Sequence, residues 1–136
     1  MVATRLTEVE VAGERILVVE DNALLAMDAE MLLANAGYVV VGPCDSNAAA
    51  LKQAEDGGFD LALLDINVTD GTTMPVADLL EERDVPFILL SGQGVSSLPE
   101  RHHGRAHFLK PFAPSALLRA VAGELARGKT ERGDAA

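Results

Sequence analysis

Five polar side chains stand where apolar runs of this 136-residue sequence end. "RILVV" (15–19) finishes in Glu20-Asp21, "LALL" (61–64) in Asp65, "PFILL" (86–90) in Ser91 and "AHFL" (106–109) in Lys110. Three carboxylates brought together repel one another, and a hard divalent cation relieves that repulsion. Mg²⁺ fits such a set because it takes oxygen ligands and is held through one or two carboxylates plus a phosphate. Asn67, two residues past Asp65, could add its backbone carbonyl. A carboxylate is also a nucleophile toward phosphorus, and the product is an acyl phosphate. The transferred group carries three equatorial oxygens: the cation satisfies one, the Lys110 ammonium another and the Ser91 hydroxyl the third.

That chemistry requires elements that deliver all five residues to one rim. Including "YVVVG" (38–42), the sequence holds five short aliphatic runs without clear polar alternation, the pattern of strands covered on both faces. Helical patterns separate them. From Ala23 to Ala36, Leu24, Met27, Met31 and Ala34 share one face, which predicts that this face packs inward, with Gly37 as the stop. Ser46 to Asp56 is Ala-rich, with Asp45 and Ser46 as candidate caps. Met74 to Arg83 carries Val76, Leu79 and Leu80. A last helix starts near Pro114, spaces Leu117, Val121 and Leu125 at i, i+4 and i+8, and is expected to close at Gly128. The connector "GQGVSSLPERHHG" (92–104) holds three Gly and a Pro, so the fourth helix should be short or irregular.

Alternating strands and helices make an α/β protein with a doubly wound, five-stranded parallel sheet. In such sheets ligands bind beyond the carboxyl ends of the strands, where the five polar residues fall. We divide the chain into an N-terminal extension (1–14), one domain (15–128) and a C-terminal tail (129–136), with "TEVEV" in the extension alternating enough for a short edge strand.

The net charge of −10 argues against direct nucleic-acid binding, since a phosphate backbone rewards clustered Lys and Arg. No apolar run approaches the length of a membrane span and no signal core follows the N-terminus, so a cytoplasmic protein is expected. The single Cys44 cannot form an internal disulfide.

"ILVVEDN", "LALLDINVTDG", "FILLSG" and "FLKPF" together resemble a bacterial response-regulator receiver domain, in that family's order and over roughly residues 14 to 127. The resemblance implies the flavodoxin-like strand order 2-1-3-4-5 and a cis Lys110-Pro111 peptide. By resemblance Asp65 is the phosphoacceptor, Glu20 and Asp21 the acidic pair for Mg²⁺, and Asn67 a carbonyl ligand. Ser91 is then the switch hydroxyl and Lys110 the phosphate-contacting lysine. "PFILLSGQG" resembles in part a subgroup with a Pro-Phe-x-Phe-Ala-Thr-Gly-Tyr pattern, often stand-alone and served by sensor histidine kinases of the HWE type. The resemblance therefore implies a single-domain response regulator that catalyses its own phosphorylation and dephosphorylation. Its output would be an unknown protein partner or a phosphorelay role as intermediate or sink.

Departures from the family bear on the switch. His107 stands where receivers carry Tyr or Phe, so a switch and a space-filling role both stay open for it. The stretch between Asp65 and Ser91 is a few residues short, implying a shortened third helix or connector. Gln93, two past Ser91, sits where a side chain could orient or exclude the hydrolytic water. His102 and His103 read as surface residues, since helix neighbours do not share a face.

Other classes remain in view. A phosphorylation-independent binding module would not need the five polar residues. An Asp-x-Asp phosphatase would need an acid where Asn67 stands. An EF-hand reading of "DINVTDG" fails because Gly falls one place late and Val76 replaces the closing Glu.

Overall fold

A computed structural model describes residues 13–92 and 99–131, with side chains described as far as Arg127. In chain order the elements are β1 (Arg15–Val19), α1 (Ala23–Asn35), β2 (Val39–Cys44), α2 (Asn47–Asp56) and β3 (Leu61–Asp65). A small hairpin follows, β4 (Asn67–Val68) and β5 (Gly71–Thr72), then α3 (Met74–Glu82) and β6 (Phe87–Ser91). A 3-10 turn (Glu100–His102), β7 (His107–Leu109) and α4 (Pro114–Glu131) complete the described chain. Among the described residues no helix is long and apolar enough to cross a membrane.

The five main strands form one parallel sheet in the order β2-β1-β3-β6-β7. This is the doubly wound, flavodoxin-like arrangement, 2-1-3-4-5 when the hairpin is left out of the count. Alternate side chains along each strand feed opposite faces. Leu17, Val19, Ala62, Leu64, Phe87 and Leu89 meet Ala50, Ala54, Val76, Ala77 and Leu80 of α2 and α3. Ile16, Val18, Leu61, Leu63, Ile88 and Leu90 meet Leu33 of α1 and Leu117, Val121 and Leu125 of α4. The unbroken apolar runs of β3 and β6 are thus explained: both faces are roofed by helices. Gly42 sits at an irregularity in the β1–β2 pairing with φ +92, and a Cβ there would stand 2.8 Å from the Cys44 amide nitrogen. Only glycine suits that position.

Four expectations need correction. The α1 face chosen from the sequence is the wrong one: Leu24, Met27 and Met31 are 71%, 52% and 57% exposed, while Ala26 and Leu33 are buried. The helix carries two apolar stripes, and the one with the smaller residues fits closer to the sheet. Asp45 does not cap α2. Its free amides are taken by the Ser46 hydroxyl, which accepts from Ala49, and by Asp70 of the hairpin, which accepts from Asn47 and Ala48 at 2.6 and 3.1 Å. Gly128 does not end α4, which continues to Glu131, because a single glycine near a helix end costs only about 1 kcal/mol. His102, read as a surface residue, is 1% exposed.

The short fourth helix is found: the 3-10 turn is the one helical piece of the connector among the described residues. The stretch between Asp65 and Ser91 holds the hairpin and a nine-residue α3. The edge strand expected of "TEVEV" (7–11) lies outside the described residues.

Candidate functional site

The site is built from strand ends. β1 ends at Val19, and the next amide, that of Glu20, still donates to the Cys44 carbonyl (2.9 Å), so Glu20 leaves the sheet from a fixed position. The chain then turns into α1. Asn22 caps that helix, its Oδ1 accepting from Leu24 and Leu25, and its own amide donates to Glu20 Oε2 at 3.1 Å. Asp21, between them, is exposed. On the neighbouring strand, β3 ends in Asp65, whose carbonyl accepts from the buried Thr73 hydroxyl at 2.8 Å. The Asn67 amide donates to Asp65 Oδ1 (3.3 Å).

One oxygen from each of Glu20, Asp21 and Asp65 lies within 4.8 Å of the others, a cluster of acidic residues that could hold a metal ion. Lys110 reaches into it from the end of β7. Its Nζ donates to Glu20 Oε1 at 2.9 Å and to Asp65 Oδ2 at 2.8 Å. Burial raises the Glu20 pKa, and the nearby Asp65 carboxylate adds to the rise, while the Lys110 bond opposes it without cancelling it. Burial works to lower the Lys110 pKa, but its two carboxylate partners outweigh that and raise it. Lys110 and Pro111 are joined by a cis peptide, as the resemblance implied. Thr69, at the tip of the hairpin, donates to Asp21 Oδ2 at 3.2 Å.

Ser91 closes β6 beside Asp65 and is 1% exposed. Its Oγ lies 3.1 Å from His107 Nε2. Burial lowers the His107 pKa. Of the residues singled out from the sequence, Glu20, Asp21, Asp65 and Lys110 are brought into one cluster, with Asn67 at its edge and Ser91 and His107 paired beside it. Gln93 lies outside the described residues.

Sequence reasoning missed a second polar group. Asp78 of α3 accepts from the Arg101 guanidinium through both oxygens (2.8 and 2.9 Å) and lies 2.9 Å from His102 Nε2, while Glu81 holds Arg105. His102 meets the Phe87 ring edge-on and Arg105 stands over that ring at 4.6 Å. The spacing Asp78-x-x-Glu81 on one helix face against Arg101, His102 and Arg105 was the available signal.

Comparison with known proteins agrees with the fold. The chain belongs to the response regulator receiver domain family, whose model matches residues 16–122. It is 30% identical over 111 residues to the transcriptional regulatory protein PdtaR of Mycobacterium tuberculosis, a match covering 79% of this chain and 54% of that protein. It is 35% identical over 104 residues to the phyllosphere-induced regulator PhyR of Methylorubrum extorquens, covering 74% of this chain and 39% of that one. The chain thus spans about half or less of the curated relatives it matches. Among solved structures, SdrG from Sphingomonas melonis Fr1 superposes with a TM-score of 0.73 at 39% identity, covering 82% of this chain and 96% of that one. SdrG has also been solved in a BeF3-activated conformation.

Proposed function

We propose that this chain is a phosphoacceptor switch in two-component signalling. Asp65 takes a phosphoryl group from a phosphohistidine of a sensor histidine kinase, and the phosphorylated form acts on a protein partner or passes the group on. The observation that carries this reading is the Lys110 ammonium bridging Glu20 and Asp65 beside Asp21. A lone structural aspartate at a strand end does not need two further acids and a shared lysine.

The donor set fits a hard cation such as Mg²⁺, held by Glu20, Asp21 and Asp65 with the Asn67 carbonyl. When bound, Mg²⁺ neutralises the carboxylates and screens the incoming phosphoryl charge. The chain's own residues do the rest. An Asp65 carboxylate oxygen attacks phosphorus, the bond from phosphorus to the donor's imidazole nitrogen breaks, and that nitrogen leaves with the electron pair and takes up a proton. Lys110 stays by Asp65 and contacts a phosphoryl oxygen, and the Ser91 hydroxyl donates to another. The activated conformation of SdrG supports this reading, since BeF3 on a carboxylate imitates a phosphoryl group. The resemblance of "PFILLSGQG" leads us to place the kinase in the HWE type.

Intact mass after incubation with acetyl phosphate tests the proposal. Wild type should gain one phosphoryl group with Mg²⁺ and none without it, and Asp65→Asn should gain none. A Mg²⁺ titration that shows no ion binding, together with no adduct, would leave a binding module that works without phosphorylation.

A further inference from the structure

We propose that His107 is a positioning residue for Ser91: its imidazole holds the serine hydroxyl in the resting protein and releases it toward the phosphoryl group when the imidazole gains a proton. This rests on the phosphoacceptor reading above and adds to it a proton-linked control of the switch.

The strand register sets up the contact. His107 pairs with Leu89 across β6 and β7, and Ser91 is two residues beyond Leu89. Side chains two apart on a strand share a face, so the imidazole and the hydroxyl lie on the same side of the sheet. Nε2 and Oγ stand 3.1 Å apart, within hydrogen-bonding distance. Ser91 is 1% exposed, so bulk water cannot freely replace that partner.

A hydroxyl has one hydrogen to give and two lone pairs to offer. A neutral imidazole with a bare Nε2 accepts the hydroxyl's only hydrogen, which then cannot point at a phosphoryl oxygen. An imidazolium must donate from Nε2. The hydroxyl then accepts through a lone pair, and its hydrogen is no longer committed to the imidazole and can turn to the group on Asp65. Protonation of His107 and phosphorylation of Asp65 therefore favour one another, and linkage makes the coupling reciprocal.

The surroundings leave this proton to His107 itself. Burial alone depresses its pKa, which favours the neutral imidazole, and the tautomer with a bare Nε2 is the one that holds the hydroxyl. On its own strand Lys110 is engaged by Glu20 and Asp65, and ahead of it Arg105 is engaged by Glu81. Across β6 it meets Leu89 and Ser91. On α3, Asp78 is taken by Arg101 and His102. Residues 93–98 contain no ionisable side chain.

Two measurements test the coupling. The imidazole signals are followed by NMR from pH 5 to 8, with the His107 signal identified by its loss in His107→Phe. Adding Mg²⁺ and BeF3 should raise the His107 midpoint by at least about 0.5 unit, a roughly threefold gain in proton affinity, and Ser91→Ala should abolish most of that rise. In parallel, acetyl phosphate labelling of wild type is divided by that of His107→Phe, and separately of His107→Gln, at each pH. Both ratios should rise about threefold as the pH falls through the His107 midpoint. An unmoved midpoint, or ratios flat with pH while Asp65 labels normally, overturns the role of His107 alone. Absence of any Asp65 adduct and of any BeF3 response at every pH overturns the phosphoacceptor reading, and this proposal with it.

Discussion

At the scale of single residues, the polar groups at strand ends were legible from type and place, because a parallel sheet gathers its carboxyl ends on one rim. Glu20 shows what such gathering does to a side chain. Burial lifts its pKa above the ordinary 4.5, so the folded protein holds that proton more tightly than the unfolded chain does. Its contribution favours folding most below pH 4.5 and is lost as the pH rises through the raised folded value. In magnesium-free buffer, urea melts at pH 8 should find Glu20→Gln more stable than wild type, and the difference should shrink toward pH 5. His102 was not legible. Two adjacent histidines look equivalent in a sequence, and only the Asp78 carboxylate on a distant helix and the edge of Phe87 select which one turns inward. The His107 contact with Ser91 was hidden for a related reason: it depends on strand register, which five short aliphatic runs do not specify.

Among the elements, strands were the easier part, since runs covered on both faces announce themselves as unbroken apolar stretches. Helix faces were harder. Helix α1 offers a stripe of Leu24, Met27 and Met31 and another of Ala26 and Leu33, and periodicity alone favours the bulkier set. The sheet selects the other, because small residues permit closer packing. The consequence is measurable. Leu33→Ala removes a fully buried side chain and should cost about 2–5 kcal/mol in chemical denaturation, whereas Met31→Ala should stay within about 0.5 kcal/mol of wild type. Equal costs would mean that α1 packs through its other face. The hairpin β4–β5 escaped notice because its four paired residues are too few for any period, yet it ties Asp70 and Thr72 to the start of α2 and Thr69 to Asp21.

For the molecule as a whole, a net charge of −10 includes three carboxylates clustered around one lysine, so part of the acidity is concentrated at the strand ends rather than spread over the surface. A ligand that binds only the folded chain stabilises it by mass action. Mg²⁺ at a hundred times its dissociation constant should add about 2.7 kcal/mol to unfolding, read as a rise in melting temperature. The rise should vanish in Asp21→Asn, and a matching rise in that variant would place the ion elsewhere.

The grip of Asp78, Glu81 and Phe87 on Arg101, His102 and Arg105 has a mechanical meaning. Phe87 begins β6 and Ser91 ends it, four steps of about 3.3 Å along a parallel strand, or roughly 13 Å. This inner strand is thus held at its start by those side chains and carries at its other end the hydroxyl that meets His107. If phosphorylation of Asp65 draws the Ser91 end toward it, as the proposed function requires, a partner that touches both ends would read that state as a length.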